Sequence, residues 1–153
     1  MITKAILPPR KGYVERVNPT TGEHYYHKVY TKVGTVHRKI IIDKSQLLKL
    51  SSLPSQFLTV TLVGGGQLSL AGQDGNNSII KKKDIFITRP SISITIGQPG
   101  EPTSFGDMLA SYEYDEKSKG LTIDGITYGL GETKDHSATQ GICIIEYEEP
   151  IYE

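Results

Sequence analysis

Apolar and polar residues alternate along "PSISITIG", residues 90–97, so that Ile92, Ile94 and Ile96 share one face of an extended chain and Ser91, Ser93 and Thr95 share the other. That alternation predicts a half-buried antiparallel strand. Short, β-branched segments bounded by Gly, Pro, Asn or Asp recur at 36–43, 57–63, 67–70, 78–81, 84–89, 91–96, 112–115, 121–128 and 141–147, and together they predict an all-β protein. "GYVERVNPTTGEHYYHKVY" reads as a hairpin, with Tyr13, Val14 and Val17 on one arm, a turn from Asn18 to Gly22, and Tyr25 to Tyr30 on the other arm. "LLKLSSL" is ambiguous: Leu47, Leu50 and Leu53 fit a helical turn as well as a strand ending at Pro54. Pro8 and Pro9 favour an extended arm, and Gly34 offers a boundary. The expected architecture is an antiparallel sandwich or jelly-roll-like domain over 35–153, preceded by an N-terminal extended arm and β-hairpin over 1–34.

Length and composition narrow this picture. A chain of 153 residues buries one ordinary core with room for a short appendage. It has no apolar run long enough to span a bilayer, and "MITKAILPPRKGY" lacks the features of a signal peptide, so the expectation is a soluble protein made in the cytoplasm without membrane insertion. Cys143 is the single cysteine, so no intramolecular disulfide framework exists. The formal net charge of zero conceals a division: residues 1–93 hold 14 Lys and Arg against 5 Asp and Glu, whereas residues 94–153 hold 3 against 12. Opposite charges at the two ends suit assembly of like subunits. Nucleic-acid binding is disfavoured, because the basic residues are scattered and the one cluster, Lys81 to Lys83, runs into Asp84 without interleaved aromatics.

"FLTVTLVGGGQLSLAGQDGNN" joins a strand to three glycines. A P-loop needs Lys-Ser or Lys-Thr after its last glycine, and here Gln67, Leu68, Ser69 and Leu70 follow instead; a dinucleotide fingerprint needs glycine where Ser69 stands, and a helix after it. No cofactor is expected. Gly64, Gly65 and Gly66 are read as a structural turn or bulge requiring positive φ or close backbone approach.

Candidate chemistry is sparse. His24 and His27, three apart on a strand, point to opposite faces and are poorly placed to grip one metal ion. Asp135, His136 and Ser137 adjoin in a polar loop, whereas a triad is assembled from distant segments. Cys143, flanked by isoleucines, is expected to be a buried, inert thiol. Glu113, Asp115 and Glu116 lack an apolar pocket that would separate their pKa values for glycosidic chemistry. No catalytic or metal residues are assigned, and the protein is read as a non-enzyme. Tyr112, Tyr114 and Tyr128 are the candidate partner contacts: tyrosines stack on sugars or make amphipathic contacts with proteins, and are equally ordinary strand residues.

Three stretches in order carry a family resemblance. "FLTVTLVGGGQ", "DIFITRPSISITIGQPGEPTSFGDMLAS" and "GICIIEYEEP" resemble successive blocks of the glycine-rich C-terminal domain of tailed-phage tail-fibre and prophage tail proteins, over roughly residues 57–149. Family members usually carry long poly-glycine runs that can pack as a lattice presenting variable loops. Here only Gly64 to Gly66 remains of the first run, and "YEYDEKSKGLTIDGITYGLGETKDHSATQG" replaces the last. So no glycine lattice is expected; hairpins around Gly120 and around Asp124 and Gly125 take its place. The resemblance implies a structural component of a phage tail or phage-tail-like particle. It would be homo-oligomeric with a trimer favoured, partnered by other tail or baseplate proteins, and in contact with a host-surface glycan or protein. The hairpin bearing Tyr13, Val14, Tyr25 and Tyr26 would be its attachment. The alternative is a small carbohydrate- or receptor-binding module outside the particle. A glycan-cleaving enzyme is the third reading.

Overall fold

The computed structural model describes Pro8 and residues 12–111 and 119–152. The chain forms strands β1 (Tyr13–Val17), β2 (His24–Lys28), β3 (Lys32–Ile42), β4 (Gln46–Lys49), β5 (Phe57–Val63), β6 (Ile80–Phe86), β7 (Ser91–Thr95), β8 (Thr103–Phe105), β9 (Met108–Ala110), β10 (Leu121–Ile123), β11 (Ile126–Tyr128) and β12 (Ile142–Tyr152). It is all-β with antiparallel sheets, as expected, and its architecture is that of a sandwich. Two compact units are present: Met1–Val36 with Glu149–Glu153, and His37–Glu148.

In the first unit β1 and β2 form the expected antiparallel hairpin, with Tyr13 opposite Lys28 and Val17 opposite His24. Its turn is built by Asn18, whose side-chain oxygen accepts the N–H of Thr20 at 2.9 Å and of Thr21 at 3.3 Å, while its carbonyl accepts the N–H of Gly22 at 2.8 Å.

The second unit holds the core. Two four-stranded sheets, ordered β3-β12-β5-β6 and β4-β7-β8-β9, pack face to face around it. Alternation along β5 sends Leu58, Val60 and Leu62 inward, where Cys143 and Ile145 of β12 join them across the ladder. From the facing sheet come Leu48, Ile94, Phe105, Met108 and Ala110. Val60, Leu62, Ile94 and Ile145 are almost wholly removed from water, and burial of each such side chain contributes about 1.5–3 kcal/mol. Ile94 and Ile96 are buried and Ile92 is partly buried against the core, as the alternation along residues 90–97 predicts.

Several details differ from expectation. "LLKLSSL" resolves into β4 followed by a single 3-10 turn, Leu50–Ser52. Residues 78–81 and 84–89, read as two strands, give one strand, β6, because Lys81 to Lys83 lie on an edge where charge is solvated. Residues 67–70 form only an isolated bridge, Leu70 to Gln73, closed by a two-residue turn. Residues 121–128, which also fit one continuous strand, form the hairpin expected around Asp124 and Gly125: β10–β11 turns through Asp124 (φ 50) and Gly125 (φ 81), the type I′ geometry that an Asp-Gly pair favours. The short strands β8 and β9 carry no alternation long enough to read. The predicted strand 112–115 lies outside the described residues.

Of the two expectations for the glycine triplet, close backbone approach holds and a turn with positive φ does not. Gly64, Gly65 and Gly66 do not reverse the chain, and none has positive φ. They extend from the end of β5 through a crowded place where a Cβ would fall within 3.0 Å of the carbonyl oxygen of Ala110, Gln98 or Leu130 respectively. Gly75, Gly97, Gly131 and Gly141 are hemmed in the same way by the carbonyls of Gln67, Glu101, Gly75 and Val63. Seven glycines from five places along the chain thus bring backbone against backbone at one end of the sandwich. Polar groups there are paired: Gly64 N–H donates to Ser78 Oγ at 2.7 Å, Gly65 N–H to Glu101 O at 2.9 Å, Gly66 N–H to Thr139 O at 3.0 Å, and Gly97 N–H to Thr103 Oγ1 at 2.9 Å. All three triplet amides are thus taken by protein acceptors, and none is left to cradle a phosphate.

Candidate functional site

The outer face of the β3-β12-β5-β6 sheet is covered at one end and open at the other. At the covered end Thr61, Val63, Ile142 and Ile144 are buried, with Gly129 against Val63. Two residues further along each strand the face opens into a shallow cleft of about 620 Å³, lined by His37, Phe57, Thr59, Asp84, Phe86, Glu146 and Glu148 among others.

Register places these residues. Glu146 lies opposite Thr59, Thr59 opposite Asp84, and Phe57 opposite Phe86, so a polar row crosses the sheet beside an aromatic pair. The rings of Phe57 and Phe86 stand 4.7 Å apart at a tilt of 46°, and they are 70 % and 51 % exposed. The two rings form a small exposed apolar patch on this sheet face. Thr59 Oγ1 donates to Asp84 Oδ1 at 2.7 Å.

His37, on β3, bridges two carboxylates: its Nε2 lies 2.8 Å from Glu146 Oε2 and its Nδ1 3.2 Å from Glu148 Oε1. A neutral imidazole donates from only one nitrogen, and two carboxylate acceptors favour the doubly protonated ring. Hydrogen bonding to Glu148 first, and then to Glu146, therefore raises the pKa of His37 above its ordinary 6.5. The arrangement offers an exposed pair of tilted aromatic rings with carboxylate oxygens along its border. It suits a ligand with an apolar face and donor groups at its margin, such as a sugar ring or an amphipathic protein segment.

A second groove, of about 520 Å³, opens on the core side of β6, where Ile85, Ile92, Phe105 and Met108 form the floor and Lys81, Lys83 and Arg89 the rim. Among the described residues, no group of three or more His, Cys, Asp or Glu side chains could hold a metal ion. No described helix is long and apolar enough to cross a membrane.

Among the described residues, none of the tyrosines or hairpin residues chosen from sequence lines this cleft. Tyr112 and Tyr114 lie outside the described residues, and Tyr128 sits half-buried on β11 opposite Leu121. The four hairpin residues divide between two faces. Tyr13 and Tyr26 are half-buried on one face, their rings meeting edge-on at 6.0 Å, and Tyr26 Oη donates to Pro8 O at 2.5 Å; Val14 and Tyr25 are exposed on the other. Lys28 Nζ lies 5.0 Å from the Tyr13 ring centroid, a cation–π contact. His24 Nδ1 lies 2.8 Å from Glu15 Oε1, so this histidine has a local carboxylate partner. Cys143 is fully buried, and desolvation pushes its pKa up to about 12. His37, Phe57, Phe86 and Glu146 were missed because they lie on separate strands; the available signal was the polar Thr59, Asp84 and Glu146 on the outward positions of otherwise apolar strands.

Fold and site together define a β-sandwich with an exposed aromatic and carboxylate face. No family model, curated protein or solved structure matches the chain.

Proposed function

We propose that this protein is a non-enzymatic structural component of a bacteriophage tail or phage-tail-like particle, a fibre or baseplate-associated appendage that contacts other tail proteins, copies of itself, or the host surface. One observation carries the reading: the three sequence blocks that resemble the tail-fibre domain come together in space. β5 pairs with β12, Gly65 N–H bonds to Glu101 O, Gly66 O accepts Gly100 N–H at 2.8 Å, and Gly141 N–H donates to Gly97 O at 2.8 Å. The protein would be made in the bacterial cytoplasm and reside in the particle. Mass spectrometry of particles purified from a producing strain should find the chain in fixed ratio to tail proteins; its consistent absence from intact particles would overturn the proposal.

The open cleft favours a second reading, a carbohydrate- or receptor-binding module that works outside the particle. Phe57→Ala with Phe86→Ala removes the aromatic pair without touching the core, and in this reading it abolishes retention of the free protein on host envelope material. Retention equal to that of the unaltered protein would exclude the cleft from binding.

A further inference from the structure

The strand β6 ends the β3-β12-β5-β6 sheet, and among the described residues no strand pairs with its outer side. An edge of seven residues presents a row of backbone groups suited to another strand. Its sequence, "IKKKDIF", has an unusual symmetry on the outward face: Ile80, Lys82, Asp84 and Phe86 read apolar, cation, anion, apolar.

We propose that β6 pairs antiparallel with β6 of a second copy of the chain about a two-fold axis at Lys83, joining two sandwiches through one continuous eight-stranded sheet. In this register Ile80 of each copy faces Phe86 of the other, and Lys82 of each faces Asp84 of the other. The arrangement is isologous, so each favourable pair occurs twice. Cross-strand opposite-charge and aromatic–aliphatic pairs are the units that stabilise a sheet. Both apolar members are half-exposed in the single chain, Ile80 at 47 % and Phe86 at 51 %, and pairing covers them.

Neighbouring registers are worse. A shift of two residues sets Lys82 against its own copy in one direction and Asp84 against its own copy in the other, and either leaves a like-charge pair at the axis. In the favoured register the like-charge pair is Lys83 with its copy, on the opposite face of the sheet, while Lys81 meets Ile85. Lysines pointing toward the core side of an edge strand are a common guard against indiscriminate pairing. Here Lys83 tempers the association while Lys82 and Asp84 select its register. The contact is separate from any three-fold axis elsewhere, and it does not depend on the tail assignment.

The test is sedimentation of the whole chain and three variants. The unaltered protein should associate to an even-numbered oligomer as concentration rises. Lys82→Glu and Asp84→Lys should each weaken that step by about tenfold or more, since two attractive pairs become repulsive. Mixing the two variants should restore association as a one-to-one heterodimer, because an acidic strand then meets a basic one. Lys83→Thr, an exposed change that leaves the cleft intact, should tighten association several-fold. Circular dichroism must show both charge variants folded; if Asp84→Lys unfolds through loss of the Thr59 bond, Lys82→Glu and Lys83→Thr still decide the matter in opposite directions. A monomer at every concentration, or an oligomer indifferent to Lys82→Glu and Lys83→Thr, would overturn the proposal, and neither result bears on whether the chain belongs to a tail particle.

Discussion

Protonation of one exposed ring ties β3 to β12. His37 gains two carboxylate partners on folding, so its folded pKa stands above 6.5, and the linkage has a definite sign. The stabilisation is fully present below pH 6.5 and is lost as pH rises through the folded value. The His37 ring resonances should therefore titrate above 6.5 in the native protein, and Glu148→Gln should bring the midpoint down, with Glu146→Gln acting in the same direction; a midpoint indifferent to both changes would remove the bridge from the description. The opposite sign applies to Glu132, whose carboxylate accepts from the Ser69 hydroxyl and from its N–H at 3.1 Å, so that its pKa is lowered from 4.5 and its contribution disappears on acidification. Glycine 66 presents a steric case. Its missing Cβ would meet the Leu130 carbonyl, a backbone atom that cannot rotate away. Gly66→Ala should lower unfolding free energy by about 3 kcal/mol or prevent folding, by analogy with overpacked cores, and urea denaturation measures it.

At the level of elements, turn chemistry decides more than strand propensity. The β10–β11 hairpin was legible because Asp124-Gly125 is the dipeptide that a type I′ turn prefers. The turn at 70–73 uses the same geometry with Ala71 at φ 51 and Gly72 at φ 80, and alanine gives no signal for it. An exposed alanine in the left-handed region is strained by about 1 kcal/mol, so Ala71→Asn should stabilise the protein by about 0.5–1 kcal/mol, read as a raised urea midpoint without change of slope. Strands whose inward residues alternate, β5, β7 and β12, were readable for the same physical reason that they form the core. The three-residue β8 and β9 were not, since Thr103 and Phe105 acquire their partners only when Gly97 lets the chain return closely. The cleft was illegible for a related reason: Phe57, Phe86, Glu146 and His37 come from four strands, and only the register of the finished sheet makes them neighbours.

For the molecule as a whole, the His37–Glu148 unit carries the apolar core, and Cys143 at its centre makes a reporter of its integrity. A thiol that is wholly buried, with pKa near 12, reacts only after the sandwich opens. Labelling by a neutral thiol reagent at pH 7–8 should proceed at the rate of global opening and accelerate in Gly66→Ala, if that variant folds. Fast labelling of the native protein would mean that the two sheets part locally. The knot of glycines has a genetic counterpart. Every single-base missense change in a glycine codon introduces a side chain, so none of these seven sites has a harmless neighbouring codon as far as shape is concerned. Variation in a lineage carrying this gene should then accumulate on the strand edges and exposed turns, where a new residue alters what the protein touches without disturbing how it stands.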